Sequence, residues 1–206
     1  MIAVIDYGVG NLFSLTSSLN MIGAKCIVTA DPDKIKKADK LLLPGVGAFA
    51  DAINKLTALG LDKVIIEEAK NGKPILGICL GMQLLFEKSY EYGEHKGLGL
   101  LAGNVVPMQG VIPSELKIPH IGWNGLHVKK EHPIFKYIKE GDHVYFVHSY
   151  YATDCEASLL ATTEYGGELT AAVAQKNITG CQFHPEKSGD IGLSILRAFD
   201  EWEVIK

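Results

Sequence analysis

The sequence contains no apolar run of 18 residues or more, so it predicts no membrane-spanning helix. It has no basic excess either. Lys and Arg number 20 against 24 Asp and Glu, a formal charge of −4, which removes any bulk attraction for nucleic acid or anionic lipid. Lys34, Lys36 and Lys37 alternate with Asp31, Asp33 and Asp39 and read as a solvated surface. Cysteine is scarce. Cys26, Cys79, Cys155 and Cys181 are widely and irregularly spaced, which predicts neither a disulfide framework nor a zinc knuckle. His120, His127, His132, His143 and His148 show no metal-ligand spacing, and His95 lies in a polar stretch, so no metal is expected. The opening MIAVIDYG is a short apolar run broken by Asp6 with no basic flank, unlike a secretory leader. The expectation is a cytoplasmic protein with reduced thiols, in which each Cys is either a small core residue or a reactive one.

What is present suits one substantial core. The 206 residues show no repeat, low-complexity tract or linker, so a single domain over 1–206 is expected. The first half alternates strand and helix signals. Ile2 to Asp6 reads as a buried strand running into a turn. Asn11 is placed to cap a helix carrying Leu12, Leu15, Leu19 and Ile22, which Gly23 stops. Lys25 to Thr29 and Leu41 to Leu43 read as strands, 49–59 and 62–71 as helices, Ile75 to Cys79 as a fourth strand, and Gly81 to Lys88 as a helix. Alternation of this kind predicts parallel pairing with helices on both faces. After Tyr90 the chain turns to short β-like runs: Val144 to His148, Leu159 to Thr163, Ala171 to Gln175 and Ile178 to Phe183. Gly166-Gly167 and Lys176-Asn177 suggest antiparallel hairpins, and Leu193, Leu196, Phe199 and Trp202 a closing helix. The fold class is α/β with a mixed sheet.

Three segments carry chemistry. Gly77-Ile78-Cys79-Leu80-Gly81 lies between a predicted strand and a predicted helix, the nucleophile-elbow pattern with Cys in place of Ser. A sharp turn there lifts the nucleophile above the sheet, and glycines clear space for it. The helix N-terminus favours a thiolate, and the Leu80 N–H faces a developing oxyanion. Alone, the motif is equally a buried Cys in a Gly-flanked loop. Phe183-His184-Pro185-Glu186 ends a predicted strand late in the chain. It offers a base, His184, and an acceptor to orient it, Glu186, although an isolated His-x-Glu is commonly an ordinary surface pair. Pro44-Gly45-Val46-Gly47 follows the third strand. Its glycines let backbone N–H groups turn toward a ligand, while by itself it reads as a simple strand-to-helix turn.

In this order and context the three segments resemble the class I (triad) glutamine amidotransferases, over essentially the whole chain from Met1 to about Trp202. The hallmarks are the elbow followed by Gln83 and a terminal strand ending in His184-Pro185-Glu186. Five segments resemble, within that family, the glutaminase subunits of imidazole glycerol phosphate synthases. They are Asp6 to Leu12, Leu43 to Phe49, Pro119 to Asn124, Tyr145 to Tyr151, and His184 to Ser188. Tyr151 receives no role.

The resemblance implies a three-layer fold with a central, mostly parallel mixed sheet and an antiparallel β extension in the second half. It implies hydrolysis of L-glutamine to glutamate and ammonia by Cys79, His184 and Glu186, without a cofactor. It assigns the oxyanion hole to Gly45, Val46 and Leu80, and substrate contacts to Gly47, Gln83, Ser149 and Tyr150. It also implies delivery of ammonia to a (β/α)8-barrel cyclase subunit, in a heterodimer that makes imidazole glycerol phosphate and an aminoimidazole carboxamide ribonucleotide for histidine biosynthesis. Asn11, Ile121, Trp123 and Lys187 are the candidates for the docking face, Trp123 being equally readable as a core residue. The isolated subunit is expected to be nearly inactive. Three other readings remain at this stage: a glutaminase serving pyridoxal phosphate synthase, a partner-independent cysteine amidase, and a non-catalytic module that kept the fold.

Overall fold

A computed structural model describes residues 1–203. Strand and helix alternate through the first half: β1 (Ile2–Ile5), α1 (Leu12–Met21), β2 (Cys26–Thr29), α2 (Pro32–Lys37), β3 (Lys40–Leu43), α3 (Phe49–Ala58), α4 (Leu61–Lys70), β4 (Ile75–Ile78) and α5 (Leu80–Leu84). The second half is mainly β: β5 (Phe86–Ser89), β6 (His95–Lys96), β7 (Leu101–Pro107), β8 (His120–Gly125), β9 (His127–Val128), β10 (His143–His148), β11 (Tyr150–Thr153), β12 (Leu159–Glu164), β13 (Glu168–Gln175) and β14 (Ile178–Cys181). It closes with α6 (Gly189–Glu201). A 3-10 turn at Pro185–Lys187 separates β14 from α6.

The main sheet runs β2-β1-β3-β4-β14-β13-β12-β9. Strands β2, β1, β3, β4 and β14 are mutually parallel, and β13, β12 and β9 extend the sheet antiparallel. A two-stranded antiparallel sheet, β10-β8, and a smaller sheet, β11-β7-β5-β6, stand beside it. The unbroken apolar strands are explained by burial on both faces. On β1, Ala3 and Ile5 join the core under α3 and α4, with Phe49, Leu56, Leu61 and Ile65. Ile2 and Val4 join the opposite core, with Leu15 and Leu19 of α1 and Ile195, Leu196 and Phe199 of α6. Adjacent residues serve opposite layers because strand side chains alternate, and each fully buried Leu or Ile contributes about 1.5–3 kcal/mol.

The expected mixed sheet and antiparallel extension are observed, with two local differences. Gly81 to Lys88 is not one helix: α5 ends at Leu84, and Phe86–Ser89 forms β5 between β6 and β7. Cross-strand pairing with residues far along the chain outweighs the local helical pattern there. The charged Lys34–Lys37 stretch, read as surface, is the short helix α2. Asp31 caps it through the Asp33 N–H, and Ile35 buries its single apolar side. Among the described residues, no helix is long and apolar enough to cross a membrane.

Candidate active site

Parallel sheets present ligands at the carboxyl ends of their strands, and the chemistry-bearing segments meet there. Cys79 follows the last residue of β4 and caps α5, with φ 54° and ψ −113°. For a side chain with a Cβ this conformation costs about 1–3 kcal/mol, and it persists because the surroundings leave no alternative. The Cys79 N–H is tied to the Cys181 carbonyl at 2.8 Å. A Cβ on Gly81 would lie 1.8 Å from the Leu43 carbonyl oxygen, and one on Gly77 would lie 2.7 Å from the Gly81 carbonyl oxygen. Both glycines of the motif are therefore imposed by the tight approach of β3, β4 and α5. Gly81→Ala is expected to lower stability by about 3 kcal/mol or more, read as a fall in thermal midpoint, because backbone rather than a pliable side chain blocks the methyl.

His184 lies three residues beyond the end of β14. Its own N–H donates to the Tyr145 carbonyl at 2.9 Å, and its carbonyl accepts from Ser188 Oγ at 2.7 Å. The 3-10 turn begun by Pro185 brings Glu186 back, and His184 Nδ1 meets Glu186 Oε1 at 2.7 Å. The two side chains are only 2% and 4% exposed. Glu186 Oε2 and His184 Nε2 are buried without a hydrogen-bond partner. Burial alone would push the imidazole pKa down. Cys79 beside it and the Glu186 carboxylate outweigh that and raise it to about 10. Cys79 Sγ is near enough to bias His184 but does not meet hydrogen-bonding geometry with it, which leaves Nε2 free to serve a reacting atom.

The Pro44–Gly47 segment runs past the elbow. Tyr7 Oη donates to the Pro44 carbonyl at 2.7 Å, and the Gly45 backbone packs against Leu80 and the Gly81 nitrogen so closely that a Cβ would lie 2.9 Å from that nitrogen. Burial, with Cys79 adding to it, raises the Tyr7 hydroxyl pKa and keeps it a donor. Val46 is exposed, and Gly47 has φ 91°, a conformation open to glycine.

Cys79, His184, Val46, Gly47, Leu80, Gln83, Ser149 and Tyr150 share one cleft of about 610 Å³. Gln83 Nε2 donates to the Tyr150 carbonyl at 3.1 Å and to Gln182 Oε1 at 2.9 Å. His148 Nδ1 donates to the same Tyr150 carbonyl at 2.8 Å, and burial pushes its imidazole pKa down to about 3. Sequence reasoning missed Glu91, which also lines the cleft. Its Oε2 accepts the Phe49 N–H at 2.6 Å, and burial raises its carboxyl pKa. It sits in a polar stretch (Ser89-Tyr90-Glu91-Tyr92) where nothing in the local pattern singles it out. Gln182 was missed too; it lies just past the end of β14, between that strand and His184, where nothing local singles it out.

The docking candidates divide. Ile121 is 58% exposed and Trp123 51% exposed on β8, so Trp123 is not a core residue. Trp123 meets the Tyr145 ring edge-on at 6.0 Å, and Lys187 Nζ lies 5.7 Å from the centre of that ring on its other contact. Asn11 is exposed and caps α1 by accepting the Ser14 N–H at 3.2 Å; α1 packs against the 3-10 turn that carries Lys187. Cys155 and Cys181 are buried and Cys26 is half-buried. Among the described residues, no His, Cys, Asp or Glu cluster could hold a metal ion.

Comparison with known proteins gives a consistent set. The glutamine amidotransferase class-I family matches residues 3–200. The chain is 52% identical over 202 residues to the imidazole glycerol phosphate synthase subunit HisH of Caldanaerobacter subterraneus subsp. tengcongensis, covering 98% of both chains. It is 50% identical over 208 residues to the subunit of the same name from Sulfurimonas denitrificans, covering 100% of both. Among solved structures, PurLQS from Thermotoga maritima superposes with a TM-score of 0.74 at 20% identity, covering 96% of each chain. A structure described as a glutamine amidotransferase superposes at 0.73 with 18% identity, covering 94% of this chain and 95% of the other. At those identities the superpositions speak for the fold.

Proposed function

The chain belongs to the class-I glutamine amidotransferases, on the branch of the imidazole glycerol phosphate synthase subunits HisH, and we propose that it hydrolyses L-glutamine with Cys79, His184 and Glu186 and passes the ammonia to a cyclase subunit. The observation that carries this is His184 Nε2, buried and unpartnered beside Cys79, while Nδ1 is held by Glu186 at 2.7 Å.

The Cys79 thiolate attacks the side-chain amide carbon. The resulting oxyanion is met by the Leu80 N–H at the start of α5 and by N–H groups of Gly45 and Val46. The His184 imidazolium gives its proton to the amide nitrogen, and ammonia leaves. A glutamyl thioester remains. Neutral His184 then takes a proton from water, hydroxide adds to the thioester carbon, and collapse returns the thiolate and releases glutamate. Gln83 and the backbone of Gly47, Ser149 and Tyr150 hold the amino-acid end of the substrate. Glu91 supplies the negative charge in the cleft that an α-ammonium requires. The whole chain acts as one domain, in the cytoplasm.

Ammonia protonates and disperses in water, so such a site works best against a second protein that receives it. The partner of this reading is a (β/α)8-barrel cyclase subunit, docked over Asn11, Ile121, Trp123 and Lys187. A large exposed aromatic next to an exposed aliphatic is the composition of an interface core. Trp123→Ala is expected to weaken binding of the cyclase subunit by about 30-fold or more, measured by titration calorimetry, with the fold unchanged because the ring is half in solvent. The function itself is tested by ammonia release from glutamine with and without the cyclase subunit and its ligand. Equal rates for the free chain and the complex would overturn the partner-dependent part. Release from other amides but not from glutamine would overturn the substrate.

A further inference from the structure

The Cys79 thiol has a second neighbour that the reaction scheme above does not use. Gln182 is fully buried between β14 and His184, and its Nε2 lies 3.6 Å from Cys79 Sγ. On another side, Sγ lies 4.0 Å from the Val147 carbonyl. These two neighbours favour opposite protonation states. A carbonyl accepts only, so it stabilises the S–H. An amide N–H donates, so it stabilises the thiolate.

Which end of the Gln182 amide faces the sulfur is fixed by a chain of donors. The Tyr150 carbonyl can only accept, so the end of Gln83 that faces it must be Nε2. The same Nε2 faces Gln182 at 2.9 Å, so that end of Gln182 must be the acceptor, Oε1. The remaining end of Gln182, its NH2, therefore points at Sγ. Turning the Gln182 amide over would set two NH2 groups against each other in a buried site and forfeit the hydrogen bond between Gln83 and Gln182.

We propose that Gln182 is a further catalytic residue, donating a hydrogen bond from Nε2 to the Cys79 thiolate, and that Gln83 and the Tyr150 carbonyl hold it in the donating orientation. Because Tyr150 and Gln83 also line the substrate cleft, one hydrogen-bond chain ties the substrate pocket to the nucleophile's charge. The inference rests on the reading of Cys79 as the glutaminase nucleophile. The titratable groups whose charge interacts with Cys79 are His184, Tyr7 and Cys181, and the variants below alter none of them.

The test is the pH dependence of Cys79 alkylation by iodoacetamide on the full chain, with the modified residue located by mass spectrometry. Gln182→Met fills nearly the same space and cannot donate. Its alkylation midpoint is expected to rise by about half a pH unit to one unit, with a roughly three- to tenfold slower reaction on the acid side of the midpoint. Gln83→Met removes a proposed substrate contact, but in this glutamine-free assay it acts on Cys79 by freeing the Gln182 amide to turn, and should shift the midpoint the same way by less, about two- to fourfold in rate below the midpoint. If Gln182→Met does not fold, Gln83→Met carries the test alone. A profile that superposes on wild type in the folded variant overturns the proposal, since a purely structural role would leave the midpoint where it was. Alkylation needs no glutamine, so the two readings fail separately. Shifted variant profiles beside a wild-type complex that hydrolyses no glutamine would support the Gln182 donor and overturn the proposed function. Unshifted profiles in a complex that does hydrolyse it would overturn the donor alone.

Discussion

Cys79→Ala is expected to remove glutamine-dependent ammonia production by a factor of about 10⁴ or more, while the complex with the cyclase subunit still uses ammonia added to the solution. The magnitude follows from covalent catalysis: without the thiolate no thioester forms, and oxyanion donors alone recover only a small residue of the rate. The fold should survive. Cys79 is held by its backbone, through the hydrogen bond from its N–H to the Cys181 carbonyl, and Ala keeps the Cβ that the elbow already accommodates. The electrostatics should change in a way that can be measured apart from activity. Burial opposes charge on His184, and Cys79 is one of the two groups that overcome it. Removing the sulfur leaves Glu186 as the main support, so the imidazole pKa should fall from its value of about 10, as read by NMR titration of the ring. Loss of hydrolysis with no movement of the His184 titration would mean that the two side chains are not coupled. Retention of hydrolysis would remove Cys79 from the mechanism.

The elements of this site were unequally visible in the sequence. Gly77, Cys79 and Gly81 were legible because the elbow is local. Strand, turn and helix follow one another within a few residues, and each glycine answers a close backbone approach. His184-Pro185-Glu186 was legible for the same reason, since a proline-stiffened turn fixes both members of the pair. The parallel half of the sheet followed from apolar runs alternating with amphipathic helices. What failed to show was whatever depends on partners far along the chain. Strand β5 exists because β7 pairs with it, and no periodicity within 81–88 announces that. Glu91 reaches the cleft only because its carboxylate is anchored by the Phe49 N–H, 42 residues earlier. Gln182 gains its meaning from Gln83, 99 residues away, and from a backbone carbonyl that carries no side-chain signature. Trp123 was ambiguous because exposure, which the residue type does not encode, decides between core and interface.

Glu186→Gln should lower glutaminase activity by roughly 10²–10⁴ near pH 8 and move the alkaline limb of kcat/KM to lower pH. Glu186 carries one oxygen on His184 Nδ1 and one that is buried and unpartnered, so its charge is neutralised chiefly by the imidazolium. The substitution keeps the shape and the Nδ1 contact but removes the charge. With that support gone, burial regains ground and the imidazole pKa drops below about 10. In the proposed mechanism the active form is a thiolate beside an imidazolium, so activity should end where His184 deprotonates, and that point moves down with the pKa. Stability carries the same sign. A histidine whose folded pKa lies above its unfolded value of about 6.5 contributes stability in full below about pH 6.5 and loses it as pH rises through about 10. In the variant that contribution shrinks and is lost at lower pH, so wild type and variant should differ most in thermal midpoint on the acid side, with the difference falling toward a constant remainder above pH 10. The Gln side chain also places an NH2 where Oε2 has no partner, which leaves a buried donor unsatisfied and adds a pH-independent loss of about 1–3 kcal/mol. Separating the pH-dependent part from the constant part of the difference therefore measures how much of Glu186's role is charge. An alkaline limb unchanged from wild type would show that Glu186 orients the ring without supporting its proton.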